Sequence, residues 1–500
     1  MDEQVNERKI LAEDEKTLQR MGYKQELARR MDGFSNYAIS LSIICILAGG
    51  ITSFQVGFCS VGGASIGLGW PLVCVFSTVV ALTMGQVGSA FPTAGGLYHW
   101  ASILGGKGWG WVTAWFNLAG LITVVAAVNA GAYDFVAGAF NTGTGAHARE
   151  LKIAGLLIMT LSQAVFNHKG IRVTTRLTDF SGYLILVVAV LLTAAMLFYA
   201  PHWEWGRLIH FTNYSGMPPE NPVFPHTENI VWLFALGFLL PAYTITGFDA
   251  SAHTAEETIS ASTNVPRGIV RSVLVSGVAG WVMLCAIVLA IPNMDQAAAK
   301  GDGVFYWIMK SVLPRPLYVV LFIAIGVAQY LCALAGLTSA SRMAFAFARD
   351  GGLPGWRLLR RISPTSRTPA AAIWAVAVAA LLFMGLVPYT TIAAVCAVFL
   401  YISYVLPAAA GFLAHGRTWT QMGPWDLGAW YRPLTVIAVL CCAALIVIGM
   451  QPPNQQAVWI VGGAALGMAA AWFGFERARF KGPPQICRTE GTEDLAEMKR

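Results

Sequence analysis

The sequence predicts an all-α integral membrane protein with twelve transmembrane helices. Hydrophobic residues make up 56% of the 500 and charged residues only 12%, whereas soluble domains are about one quarter charged. Mean hydropathy is +0.59. Apolar runs of about 20 residues, the length that crosses a bilayer as a helix, recur along nearly the whole chain. The basic residues fall in alternate connections between those runs, as membrane orientation requires.

The charged segment 1–33 has no apolar core and no small-residue cleavage pattern, so no removable signal peptide is expected and span 1 (34–58) directs insertion. Span 2 (65–91) ends at 92-PTAGGLYHWASILGGKGW-109, which is too polar and glycine-rich to cross and reads as an interfacial or re-entrant helix. Spans 3 (109–138), 4 (151–168) and 5 (179–199) follow, then a loop, 200–228, whose Trp203, Trp205 and Phe211 suit the headgroup level. Spans 6 (229–257), 7 (268–292) and 8 (316–347) come next. The stretch 349-RDGGLPGWRLLRRISPTSRTP-369 is basic and broken by Gly and Pro, as a solvated connection should be. Spans 9 (369–386), 10 (388–413), 11 (431–450) and 12 (455–476) complete the set. The expected units are an N-terminal segment 1–33, spans 1–5 in 34–199, the loop 200–228, spans 6–10 in 229–413, spans 11 and 12 in 414–477, and a tail 478–500.

Placing the amino terminus in the cytoplasm puts 27 of the 33 Lys and Arg on the inside, so both termini are expected there. The expected location is the plasma membrane, or the inner membrane of a bacterial cell. The net charge of +7 then faces anionic lipid, and no nucleic-acid partner is expected. The nine cysteines (Cys45, Cys59, Cys74, Cys285, Cys332, Cys396, Cys441, Cys442 and Cys487) lie mostly inside apolar runs and show no metal spacing. No metal or other cofactor is expected.

Span 1 carries 48-AGGITSF-54 past its middle, and span 6 carries 241-PAYTITG-247 past its own. Five spans apart, the two run in opposite directions. Interrupted helices at matching positions of oppositely oriented halves point to an inverted-repeat transporter. Freed N–H groups suit a carboxylate and freed carbonyls suit a cation. The alternative is a pair of packing kinks with no ligand.

These residues, with 90-AFPTAGGLYHWA-101, 246-TGFDASAHTAEET-258 and 338-TSASRMAFAFARDGGLP-354 in the same order, resemble the amino acid–polyamine–organocation superfamily. The likeness is nearest to its amino acid/choline branch of GABA permeases and bidirectional amino acid transporters. The resemblance implies a LeuT-like fold: spans 1–5 and 6–10 as inverted repeats, 11 and 12 peripheral, and alternating access around a central site. It implies that Gly49, Gly50, Ile51 and Thr52 receive a substrate carboxylate. Tyr243 would be an aromatic gate, and Thr244, Ile245, Thr246 and Gly247 would form an unwound segment facing the substrate amine. Asp249 stands where relatives usually have Glu.

Asp249 could be a gate, a proton carrier or a cap on the broken backbone. His253, at i+4, could share its proton or lie on a polar face. Glu256 and Glu257 could form a latch with Arg267, Arg271 or Arg342. Thr338 and Ser339, with the carbonyls of Ala335, Ile46 and Gly49, resemble the sodium site of sodium-coupled relatives, although such hydroxyls often bond back to their own helix. Sodium and protons therefore both remain as coupling ions. Asn117, Asn129, Tyr401 and Tyr404 could reach the cavity or bond between helices.

The expected function is secondary active transport of a small amino acid or amine-bearing metabolite, GABA-like or neutral, with choline or a diamine as alternatives. An integral-membrane enzyme would need clustered catalytic groups, and the eight histidines are scattered. A channel would need rings of equivalent groups.

Overall fold

The computed structural model describes residues 2–140 and 147–484; Cys487 and the remainder of the tail lie outside the described residues. Helices account for most of them. Among the described residues no sheet forms, and extended pairing is limited to the bridges Met31–Thr258 and His415–Trp419.

A polar helix α1 (Asp2–Arg20), unforeseen from the sequence, precedes the first apolar run. Leu18, Met21 and Tyr23 at and beyond its end are buried beside Phe91. Span 1 is cut into α2 (Gly33–Ile43), α3 (Gly49–Thr52) and α4 (Phe54–Val61). Asp32 starts α2 by accepting the Ser35 N–H at 2.8 Å. Then come α5 (Ser65–Ala90), α6 (Leu97–Gly105), α7 (Lys107–Phe140), α8 (Ala148–His168) and α9 (Ile171–Tyr199). Here α6 is the short helix that 92–109 predicts. Helix α9 begins eight residues before the expected span 5, because Gly170 (φ +117°) turns the chain directly out of α8.

Span 6 is likewise cut, into α10 (Ile230–Gly237), α11 (Leu239–Thr244) and α12 (Ala250–His253). After it come α13 (Ala261–Leu289), the short α14 (Met294–Ala298) and α15 (Val304–Val312), α16 (Arg315–Arg349), α17 (Trp356–Leu359), α18 (Ala370–Leu386), α19 (Tyr389–Ala414), α20 (Tyr431–Gly449) and α21 (Gln455–Ala471). Proline stands just before or at the start of α16, α18 and α19, where its missing N–H is harmless.

Among the described residues, eight helices are long and apolar enough to cross a membrane by length and composition: α5, α7, α9, α13, α16, α19, α20 and α21. Ile230–Thr244 and α18 are shorter apolar helices. Helix α7 packs along α19 and α16, and α13 along α5 and α2. The apolar stretch of α7 is 78% buried and that of α21 only 6%, which puts α7 at the centre and α21 at the periphery.

The two interrupted helices lie side by side and antiparallel: α2 contacts α12, α3 contacts α11 and α4 contacts α10. Both described ends of the chain lie on one face, the terminal face, where the Lys107 ammonium donates to Phe480 O at 3.1 Å and the Tyr98 and Phe480 rings meet.

Candidate functional site

The breaks meet at glycine. A Cβ built on Gly49 would stand 2.8 Å from both Cα and Oγ1 of Thr244, so only glycine lets α3 approach α11 this closely. Gly247 has φ +80°, and a side chain there would collide with Ile43. Gly50 faces Leu284 and Trp70 at 3.8–3.9 Å, an ordinary contact distance.

The backbone opens slightly earlier in span 1 than the sequence suggests. Residues 44–48 are outside α-helix, whereas Gly49, Gly50, Ile51 and Thr52 re-enter it. Ala48 and Gly49 N–H bond to Cys45 O, and Thr52 N–H bonds to Ala48 O. Among the described residues the N–H groups of Ile46, Leu47 and Gly50 find no backbone carbonyl. In span 6 the helix ends at Thr244, and residues 245–249 are unwound. Thr244 Oγ1 caps Leu240 O and Thr246 Oγ1 caps Tyr243 O. The carbonyls of Ile245 and Thr246 accept no hydrogen bond among the described residues. The breaks therefore offer free donors on one strand of chain and free acceptors on the other.

Below the breaks, on the side of the terminal face, α2 and the second half of span 6 are tied together. Ser40 Oγ donates to Phe248 O (2.8 Å) and accepts the Ser251 N–H (3.0 Å). Asn36 Nδ2 donates to Ser251 O and Thr258 Oγ1, both at 2.9 Å. These bonds satisfy backbone groups that unwinding would otherwise strand.

Asp249 is fully buried. Its Oδ1 accepts from Tyr404 Oη (2.9 Å), and its Oδ2 accepts from Asn117 Nδ2 (2.9 Å) and lies 3.1 Å from His253 Nε2. His253 is thus a partner of Asp249 and not a residue of a polar face. Tyr404 Oη in turn accepts the Gly247 N–H at 3.0 Å, which connects the carboxylate to the unwound segment. Tyr401 Oη donates to Ala242 O at 3.2 Å. Asn129 bonds Thr160 and Gln163, between α7 and α8.

Tyr243 lines a cavity of about 240 Å³ on the face opposite the termini, together with Ser53, Gln55, Tyr389, Asp302 and Asn454. Tyr389 Oη donates to Thr52 Oγ1 at 2.8 Å.

The ion ligand set of Ile46, Gly49, Ala335, Thr338 and Ser339 is not brought together. Thr338 Oγ1 turns to Asn167 Oδ1 (2.8 Å) and Leu334 O (2.9 Å), toward α8. The Gly49 carbonyl is used by Ser53 N–H. Helix α16 instead meets the break through Gln329 Nε2, which donates to Leu47 O at 3.0 Å, and Cys332, which faces Ile43 O. Thr338 lies six residues beyond Cys332, about 9 Å along the axis. Ser339 Oγ is buried and finds no hydrogen-bond partner among the described residues.

On the terminal face Glu257 pairs with Arg342 through two bonds, Nε to Oε2 at 2.9 Å and Nη2 to Oε1 at 3.1 Å, all fully buried. Glu256 pairs with Arg349 (2.8 and 3.0 Å), a partner that sequence reading missed, and neither Arg267 nor Arg271 takes part. The adjoining stretch is not simply solvated: Asp350 Oδ2 accepts from Tyr23 (2.8 Å) and Tyr98 (2.9 Å) and faces His99 Nε2 (3.2 Å). Burial alone would raise the Asp350 carboxyl; hydrogen bonding and charge from His99, with Arg349 and Tyr23, outweigh it and hold it below its ordinary value. The segment before α2 covers this ground. Arg30 and Met31 N–H donate to Glu257 O (2.8 and 2.9 Å), and Asp14 caps α13 at Ser260 N–H (2.7 Å).

Residues 32–467 match the family described as amino acid permease. The chain is 30% identical to an amino-acid permease BAT1 homolog of Oryza sativa subsp. japonica, over 93% of this chain and 94% of that one. It is 30% identical to the amino-acid permease BAT1 of Arabidopsis thaliana (87% and 88% covered) and 26% identical to the GABA-specific permease of Saccharomyces cerevisiae (90% and 79%). With interrupted helices packed break to break and a family match spanning nearly its whole length, the chain belongs to the amino acid permease branch of the amino acid–polyamine–organocation superfamily.

Proposed function

We propose that this permease moves a small zwitterionic amino acid, GABA-like or neutral, by alternating access, with twelve membrane spans, a 5+5 inverted repeat of the LeuT type and both termini in the cytoplasm. The observation that carries the reading is the pair of apposed breaks. The N–H groups of Ile46, Leu47 and Gly50 can receive a carboxylate, and the carbonyls of Ile245 and Thr246 an ammonium. Tyr243 stands between that site and the outer cavity, as a gate would. The Glu257–Arg342 and Glu256–Arg349 pairs, with the segment before α2, close the cytoplasmic side and must part for release.

Asp249 and His253 are the proposed proton-linked groups. The Thr338 environment gives sodium coupling less support, since the hydroxyl is already engaged. Asp249 faces His253, Tyr404 and Asn117, so it offers no free negative charge for a second ammonium; a diamine is accordingly disfavoured.

The test is uptake into proteoliposomes from a panel of labelled GABA, alanine, choline and putrescine, with sodium and proton gradients imposed separately. Zwitterion uptake driven by a proton gradient is expected. Uptake of choline or putrescine alone would overturn the substrate assignment, and strict dependence on sodium would overturn the coupling.

A further inference from the structure

Basic residues from three distant parts of the chain gather around one cavity on the terminal face. Arg29 and Arg30 precede α2, Lys169 and Arg172 flank the α8–α9 turn, and Arg367 lies in the connection before α18; together they line about 590 Å³. Among the described residues the rest of the lining is neutral, with no carboxylate in it. Arg29 is 3.6 Å from Asp14 and donates to Ala255 O and Thr258 O, so its charge is spoken for. Arg30, Lys169, Arg172 and Arg367 are exposed and enter no ion pair among the described residues. Four like charges around one concavity repel one another, and nothing of the transport reading uses them.

The place of the cavity narrows what it holds. Part of its lining is the turn between α8 and α9 and the start of α9, a helix apolar enough to cross a membrane. Beyond its first turns α9 exposes Phe180 (53%), Tyr183 (60%) and Val187 (55%), a flank suited to acyl chains. Cations around the cavity and an apolar surface further along the same helix match a lipid whose headgroup is anionic. Guanidinium forks fit phosphate oxygens better than they fit a monovalent anion such as chloride, and three of the four free cations are arginines.

We propose that this cavity binds a phosphate group, supplied by the headgroup of an anionic phospholipid or by a free phosphate compound. A bound phosphate would tie the segment before α2 to the α8–α9 turn and the connection before α18, two parts that already meet where Thr368 Oγ1 donates to His168 O. The segment before α2, at Arg30, hydrogen-bonds Glu257 O and helps to close the terminal face.

The experiment uses the full chain in nanodiscs of phosphatidylcholine with rising fractions of phosphatidylglycerol. Lipid retained after gentle detergent extraction is counted by mass spectrometry. A second arm titrates inorganic phosphate and pyrophosphate into the protein in neutral lipid. Arg172→Gln/Arg367→Gln is compared with Arg357→Gln/Arg360→Gln, which removes the same charge from the exposed α17 outside the cavity. At about fivefold per cation near a membrane surface, the first pair should weaken phosphatidylglycerol retention about 30-fold, and the α17 pair less than threefold. Retention undisturbed by free phosphate assigns a lipid; displacement by phosphate, or saturable phosphate binding lost in the same variant, assigns a free phosphate compound. Equal loss in both pairs, or no saturable binding in either arm, would overturn the proposal.

Discussion

Gly49 and Gly50 are adjacent in sequence but meet different neighbours, and alanine at each should separate packing from backbone opening. At Gly49 the new Cβ would stand 2.8 Å from Thr244 Cα and Oγ1 and 3.0 Å from its Cβ, whereas ordinary contacts are about 3.5–4.0 Å. The obstruction is partly backbone, so α3 and α11 must separate by several tenths of an ångström. Overpacking of this kind costs about 1–3 kcal/mol. If the cost falls on the state in which the breaks are apposed, that state is depopulated about 5- to 150-fold. At Gly50 the nearest atoms, Leu284 Cδ1 and Cδ2, are 3.8 Å away, and the methyl fits. Initial rates and half-saturation in proteoliposomes, with thermal unfolding in detergent, should show Gly49→Ala strongly impaired and Gly50→Ala within about twofold of wild type. Equal activity of the two variants, or loss only at Gly50, would refute the apposition of α3 and α11 as the reason for the glycine.

Three further outcomes are expected. Arg342→Met strands the fully buried Glu257 carboxylate and should cost about 3–5 kcal/mol in detergent unfolding, much of it restored by adding Glu257→Gln; a double variant no better than the single would refute the pairing. Asp249→Asn, which cannot exchange a proton with His253, should leave exchange of internal for external substrate intact while abolishing accumulation on a proton gradient; undiminished accumulation would remove Asp249 from the coupling step. Asp350 has a depressed folded-state value, so the stability it contributes is fully present above its unfolded value of about 3.9 and lost as pH falls through the folded value. Asp350→Asn should therefore lower the unfolding temperature at pH 7 and flatten its decline in acid, and an unchanged acid limb would count against the Tyr23–Tyr98–His99 cluster as the cause.

What could be seen in the sequence followed local rules. Long apolar runs became helices because little else satisfies the backbone within a bilayer, and Gly and Pro located the two interruptions. The exact site of opening was not legible. Gly49 and Gly50 suggested that residues 49–52 unwind, but Gly49 is required by the approach of Thr244 while the chain opens at 44–48. The ion ligands failed for a similar reason: small residues and hydroxyls in α16 gave no register, and the actual register places Gln329 and Cys332 at the break. Asp350 and Arg349 looked like solvated loop because their partners, Tyr23 and Glu256, lie some 327 and 93 residues away. Helix α1 is polar on average and is tied by Asp14 to the start of α13, a contact with no local signature.

The hydrogens around Asp249 restrict how a proton could act on the site. His253 Nδ1 lies 3.3 Å from Ala94 O, which only accepts, so that nitrogen carries a hydrogen. Tyr404 and Asn117 both donate to Asp249. One proton then remains to be placed between His253 Nε2 and Asp249 Oδ2, and the pair holds it as imidazolium–carboxylate or as imidazole–acid. In the first form Asp249 is an ionised acceptor and grips the Tyr404 hydroxyl strongly; in the second its grip is weaker. Tyr404 Oη is also the acceptor for the Gly247 N–H, within the segment whose Ile245 and Thr246 carbonyls accept no hydrogen bond among the described residues. A proton shift of about one ångström at Asp249 therefore reaches the proposed ammonium site through a single tyrosine, without a ligand carboxylate in the pore. Coupling of that form requires the Tyr404 hydroxyl itself, and an aromatic ring alone at that position would leave Gly247 unheld.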